Sequence, residues 1–170
     1  KIKRKENVVY SALTPNLTGL YEAIAVNANE IAIFVAATET FSMKNINCSI
    51  NDSLILYRKL CSEALSKGIK VRGYLSCTLG CPYEGKVSLD TVQHICLELI
   101  EMGCYEISLG DTIGVGTPLD SRLMVESLAS KISIERIAVH FHDTYGQALA
   151  NILAVIQLGV STIDCSVSGL

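Results

Sequence analysis

The sequence predicts an α/β fold whose parallel strands curl into part of a barrel, and three observations carry that reading. Apolar, strand-sized segments alternate with helix-periodic ones along the chain. Gly68, Gly103 and Gly159 each stand just before a strand, where a left-handed residue closes a helix. Strand after strand carries one apolar and one polar face. A doubly wound sheet is covered by helices on both sides and should be apolar on both. A parallel sheet with one polar face points instead to closure around a hollow that holds a site, as in a TIM-type (β/α)8 barrel.

The elements follow in order. Lys1-Ile2-Lys3-Arg4-Lys5 reads as a solvated basic segment. A first strand is expected over Val8–Leu13. Thr14-Pro15 then places a cap residue before proline at the first helical position. Strands follow at Glu30–Ala37 and Lys70–Cys77. In the latter Val71, Gly73, Leu75 and Cys77 face one way, and Arg72, Tyr74 and Ser76 the other. The helix after Ser88 stacks Val92, Ile95, Cys96, Leu99 and Ile100 on one stripe. In Tyr105–Leu109, Tyr105, Ile107 and Leu109 oppose Glu106 and Ser108. Thr117-Pro118-Leu119-Asp120 opens the next helix with a capping-box variant. In Arg136–His142, Ile137, Val139 and Phe141 oppose Ala138, His140 and His142. Ala148–Leu158 is apolar nearly all round and should be a well-buried helix. The last strand, Ser161–Val167, sets Ile163, Cys165 and Val167 against Thr162, Asp164, Ser166 and Ser168.

Polar residues gather where these strands end: Thr38-Glu39, Ser76-Cys77, Asp111-Thr112, His140–Asp143 and Ser166–Ser168. Barrel chemistry sits at those ends, whereas a Rossmann-like sheet would concentrate it at one switch point. A closed barrel needs eight strands over ~250 residues, and six strands are found here. The expectation is an α/β, incomplete TIM (β/α)8 barrel: a single domain over residues 1–170, central and C-terminal in the barrel, short of its first strands and its C-terminal tail. A six-stranded open sheet would leave a polar face and two edges to explain.

Composition narrows the function. Apolar residues make up 49% of the 170 and charged residues 18%, enough to bury a core and exclude disorder. A net charge of −3 without a basic stripe argues against a nucleic-acid partner. No apolar run approaches the ~20 residues of a membrane helix; Ile31–Ala37 is only strand-sized. There is no secretory h-region at the start. The cysteines (48, 61, 77, 81, 96, 104 and 165) are odd in number and include no CxxC pair. That pattern suits reduced thiols in a cytosol or mitochondrial matrix.

His140-Phe141-His142 is the sharpest chemical signal. Histidines at i and i+2 of a strand point the same way, and two neutral imidazoles can share one ion. Gly110-Asp111-Thr112-Ile113-Gly114-Val115-Gly116 departs from G-x-G-x-x-G spacing, so a dinucleotide site is a weak reading; Asp111 reads as an acid at the barrel mouth. Arg72 on an interior face needs an anion beside it, either a substrate carboxylate or an internal acid such as Glu106. Cys77–Gly85 is a polar loop in which no activator for a catalytic thiol is visible. His94 sits on an amphipathic helix and reads as solvated or structural.

Five segments resemble the hydroxymethylglutaryl-CoA lyase family, within the barrel superfamily of metal-dependent lyases and Claisen-type synthases. They are Leu13–Asn16, Lys44–Ser49, Cys77–Gly85, Ser108–Pro118 (SLGDTIGVGTP) and His140–Asn151 (HFHDTYGQALAN). The resemblance implies cleavage of 3-hydroxy-3-methylglutaryl-CoA into acetoacetate and acetyl-CoA with Mg²⁺ or Mn²⁺. It implies His140 and His142 as two metal ligands, with His140 also near the proton transfers. Asp111, Ser108, Tyr74, Arg72 and Asn45 match family positions at the substrate site, Asp111 as a catalytic residue. It further implies an acyl-CoA partner and a homodimer when full length. The family's Arg- and Asp-bearing first strand, its second strand, and its reactive-Cys loop with a following Asn ligand have no counterpart here. A 170-residue piece made alone is therefore expected to be inactive and poorly folded. Position 141 is Phe where the family pattern suggests Cys. A condensing synthase and a non-catalytic scaffold on the same barrel are the alternatives.

Overall fold

In the computed structural model, residues 2–167 are described. Six parallel strands run in sequential order: β1 (Ser11–Leu13), β2 (Glu30–Ala36), β3 (Lys70–Ser76), β4 (Ile107–Asp111), β5 (Ile137–Phe141) and β6 (Thr162–Ile163). The helices between them are α1 (Leu17–Ala25), α2 (Glu39–Ile46), α3 (Ile50–Ser66), α4 (Leu89–Glu101), α5 (Pro118–Ala129) and α6 (Ala148–Ile156). A 3₁₀ turn over Ile134–Arg136 leads into β5. Along a flat sheet β3 and β6 would stand about 14 Å apart. Yet Arg72 on β3 meets Asp164, just beyond β6, at 2.9 Å. The sheet is therefore curled, with its polar face on the inside: the incomplete TIM barrel that the alternation predicts.

The outer face of the sheet is the core. Ile31, Ile33, Val71, Leu75, Ile107, Leu109, Ile137 and Val139 are buried beneath Leu20, Leu60, Ile95, Leu99, Val125 and Leu128 of the helices. Each such side chain withdrawn from water contributes roughly 1.5–3 kcal/mol. Among the described residues no helix is long and apolar enough to cross a membrane.

Several expected boundaries shift. Val8 and Val9 lie outside β1 and are exposed, because this edge strand pairs only with β2, over three residues. β4 begins two residues late and extends to Asp111, and the last strand contracts to Thr162–Ile163. Ser168, expected on its polar face, lies outside the described residues. Thr14 is not the cap of α1. It is buried, its hydroxyl donates to Ala12 O, and Asn16 caps instead by accepting from Gly19 N. The α5 capping box forms as expected between Thr117 and Asp120. α6 is not buried all round: Ala148, Asn151 and Val155 face inward, while Leu149 is 80% and Leu153 58% exposed. The helix packs one face on β5 and α5, and its outer ridge of Leu149 and Leu153 is exposed.

Candidate active site

The concave face carries a cavity of about 470 Å³ near the carboxyl ends of β3, β4 and β5. Five of the expected site residues line it: Asn45 from the last turn of α2, Tyr74 from β3, Ser108 from β4, and His140 and His142 from the end of β5. Strand alternation puts the imidazoles on one side of β5, with ring centroids 5.3 Å apart. Tyr74 meets His140 edge-on at 6.3 Å.

The end of β5 is held by the loop after β4. His142 N donates to Asp111 O at 3.3 Å. Gly114 turns there with φ +68°, and a Cβ on it would stand 2.8 Å from His142 O and 2.9 Å from Thr144 N. Only a glycine gives both that backbone angle and that approach. The glycines that resemble a phosphate loop thus form a shelf under His142. Asn151, buried on α6, clamps the shelf by donating to Gly116 O at 2.8 Å. Asp143 closes the start of α6 by accepting from Ala148 N at 2.9 Å.

Two expected site residues lie elsewhere. Asp111 is fully buried and accepts from Val115 N and Gly116 N at 3.2 and 2.8 Å. Alternation along β4 groups it with Ile107 and Leu109 on the helix side, so its carboxylate organises the loop instead of entering the cavity. Asp111→Ala should therefore lower stability by about 2–3 kcal/mol, the cost of two buried amides losing a charged acceptor. Chemical denaturation measures this; a fall in turnover with unchanged stability would contradict it.

Arg72 sits one layer below the histidine cavity. Its Nε donates to Glu106 at 2.6 Å, its Nη1 contacts Asp164 at 2.9 Å and also donates to the Tyr74 hydroxyl, and its charge lies 4.8 Å from the Tyr74 ring centre. The internal acid that the sequence offered as a partner, Glu106, does stand beside it. Arg72 Nη2 is buried without a partner.

Asp164 is the residue that sequence reasoning missed. It follows β6, where Asp164 N donating to Val139 O sets it beside His140. Its Oδ2 accepts from Ser108 Oγ at 2.7 Å and lies 3.4 Å from His140 Nδ1. Burial works against its charged form. The His140 ring, the Ser108 hydroxyl and the Arg72 guanidinium together outweigh that and hold its carboxyl below the ordinary value. The available signal was an interior arginine, which calls for interior acids, and alternation had put Asp164 on that face.

The Cys77–Gly85 loop stands apart from the histidines. Cys77 adopts φ +62°, and burial pushes its thiol up to about 12. For Cys81 burial also opposes the thiolate, but the Thr38 hydroxyl, donating at 3.1 Å, and the Tyr83 and Glu84 amides outweigh it and lower the value. All seven cysteines are free. His94 is exposed on α4, as expected.

The two imidazoles fit a divalent cation as a pair of neighbouring neutral nitrogen donors. Among the described residues no group of three His, Cys, Asp or Glu side chains converges to hold a metal, so further donors would have to be backbone, water or substrate oxygens or lie outside these residues.

A curled parallel sheet with an imidazole pair and hydrogen-bonding side chains at its carboxyl rim has the site architecture of the TIM-barrel class. The chain matches the HMGL-like family model over residues 1–170 and belongs to that family. It is 53% identical to the cytoplasmic 3-hydroxy-3-methylglutaryl-CoA lyase of Danio rerio over 169 residues, which is 99% of this chain and 50% of the relative. The crystal structure of hydroxymethylglutaryl-CoA lyase from Pseudomonas aeruginosa superposes with a TM-score of 0.96 at 51% identity, covering 99% of this chain and 56% of that one. A lyase structure from Acinetobacter baumannii in complex with coenzyme A and 3-methylmalate matches at TM-score 0.94 and 31% identity, covering 99% and 55%. The chain spans about half the length of the curated relatives it matches.

Proposed function

We propose that the protein cleaves 3-hydroxy-3-methylglutaryl-CoA into acetoacetate and acetyl-CoA, using a divalent cation, Mg²⁺ or Mn²⁺. The observation that carries this reading is the pair of imidazoles, His140 and His142, set in the cavity of the concave face of a chain 53% identical to such a lyase. The A. baumannii complex with coenzyme A and 3-methylmalate supports an acyl-CoA as the substrate class. A homodimer, and a cytosolic or mitochondrial-matrix setting, belong to the same proposal.

His140 and His142 would hold the cation. When bound, it would polarise the tertiary hydroxyl and nearby carbonyl oxygens and ease loss of the hydroxyl proton. The remaining work falls to side chains already on the cavity wall. The Asn45 amide and the Ser108 hydroxyl offer polar groups against which the substrate can be oriented. Tyr74 accepts an N–H from Arg72, which leaves its own O–H free to donate. Breaking the carbon–carbon bond releases an enolate, and donors aimed at its oxygen lower the barrier.

The test is acetoacetate release from 3-hydroxy-3-methylglutaryl-CoA by the intact protein. Activity should vanish on treatment with EDTA and return with Mn²⁺ or Mg²⁺. Unaltered turnover after chelation, or none with either metal supplied, would refute the reading.

A further inference from the structure

We propose that Asp164 is a positioning residue that fixes the tautomer of His140: it keeps the proton on Nδ1 and leaves the Nε2 lone pair to face the cavity. The inference rests on the reading of His140 as a metal ligand and adds the residue that would make it one.

Three observations carry it. First, His140 Nδ1 is buried without a hydrogen-bond partner, while the side chain as a whole is 44% exposed. The exposed edge of the ring is therefore the Nε2 edge, on the side of the cavity that His140 lines. Second, Asp164 Oδ2 stands 3.4 Å from Nδ1. That is longer than a good hydrogen bond, but such contacts are often slack before a ligand tightens them. If Nδ1 carried its lone pair instead, two electron-rich atoms would face each other in a buried setting. A proton on Nδ1 turns the contact into an attraction with a carboxylate acceptor. Third, the carboxylate is itself anchored. Arg72 Nη1 binds it at 2.9 Å from β3, and Ser108 Oγ donates to Oδ2 at 2.7 Å from β4. Three strands thus converge on one acceptor, whose direction is set before any ligand arrives. A carboxylate behind an imidazole orients the ring and makes its far nitrogen a better donor.

A simpler role for Asp164, as a counterion for Arg72 alone, predicts a different result. A counterion steadies the fold but has no reason to select one nitrogen of His140.

The test uses the intact, metal-free protein. Long-range ¹H–¹⁵N correlation spectra of wild type should show His140 protonated at Nδ1 and bare at Nε2. In Asp164→Asn, where the acceptor loses its charge, this tautomer should give way to a mixture. Mn²⁺ affinity should then fall roughly 10–100-fold, the usual effect of losing such a partner. His142→Ala, assayed in parallel, should lose Mn²⁺ binding outright. An Nε2-protonated His140 in wild type overturns the proposal, and so does an Asp164→Asn variant with wild-type tautomer and wild-type Mn²⁺ affinity. If Asp164→Asn does not fold, the wild-type spectrum decides alone. Normal Mn²⁺ binding by His142→Ala would instead refute the metal-site reading of the histidines, leaving the tautomer to be judged on the wild-type spectrum.

Discussion

Replacing His140 with alanine is expected to abolish divalent-cation binding and to depress acetoacetate release about a thousandfold or more. The magnitude follows from what the ring would hold. A cation that stabilises developing negative charge contributes several kcal/mol to the barrier, and each 1.36 kcal/mol is tenfold in rate. Stability should change little, because nearly half of the side chain is in water and it makes no hydrogen bond within the limits of good geometry. Loss of function in a folded protein is thus the signature. Mn²⁺ binding followed by electron paramagnetic resonance, beside steady-state turnover and thermal denaturation, separates these effects. His94→Ala is the control: that ring is exposed on α4, and every readout should match wild type. Mn²⁺ binding by His140→Ala as tight as by wild type would remove the basis of the proposed function.

The half of the architecture that depends on period was legible in the sequence. A two-residue alternation is local, so Arg72, Tyr74, Ser108 and His140 could be placed on one concave face before any contact was known. The Thr117–Asp120 capping box was legible for the same reason, since both partners lie within one helical turn. What failed depended on partners far along the chain. Asp164 is separated from Arg72 by 92 positions, and no motif marks it. The exposure of Leu149 and Leu153 depends on what covers α6, which apolarity alone does not reveal. Asp111 is a different failure. The alternation that grouped Leu109 with Ile107 already implied its direction, but the expected strand stopped at Leu109, whereas β4 runs on to Asp111. At Thr14 the expected cap fails because the buried threonine hydroxyl donates backwards to Ala12 O, and Asn16, beyond Pro15, caps the helix instead.

Arg72→Met is expected to be the most destabilising single change on the concave face. The guanidinium is buried between two carboxylates, Glu106 at 2.6 Å and Asp164 at 2.9 Å. Methionine fills much of the volume, so the loss is chiefly electrostatic: a buried acid, Glu106, and a partly buried one, Asp164, are both left without their cation. Removing one side of a buried pair costs about 3–5 kcal/mol. Lysine is not a substitute, because a single ammonium cannot reproduce the fork that reaches Glu106, Asp164 and Tyr74 together. The pH dependence has a definite sign. In wild type the Asp164 carboxyl is held below its ordinary value, so its contribution is present above the unfolded-state value and is lost as pH falls through the folded one. Without Arg72 that depression weakens, and protonating the acids relieves their repulsion. The stability gap between wild type and Arg72→Met should therefore be largest at neutral pH and narrow in acid. Denaturant melts across that range measure it. A gap below about 1 kcal/mol at neutral pH, typical of an exposed pair, would mean that water reaches these groups and that the network does not hold Asp164 in place. A triple change, Arg72→Met with Glu106→Gln and Asp164→Asn, removes cation and anions together and should recover part of the loss, since replacing a buried charged group whole is far less costly than breaking it. That recovered stability should come without recovered metal affinity: the fold needs only that the charges cancel, whereas His140 needs a carboxylate behind it.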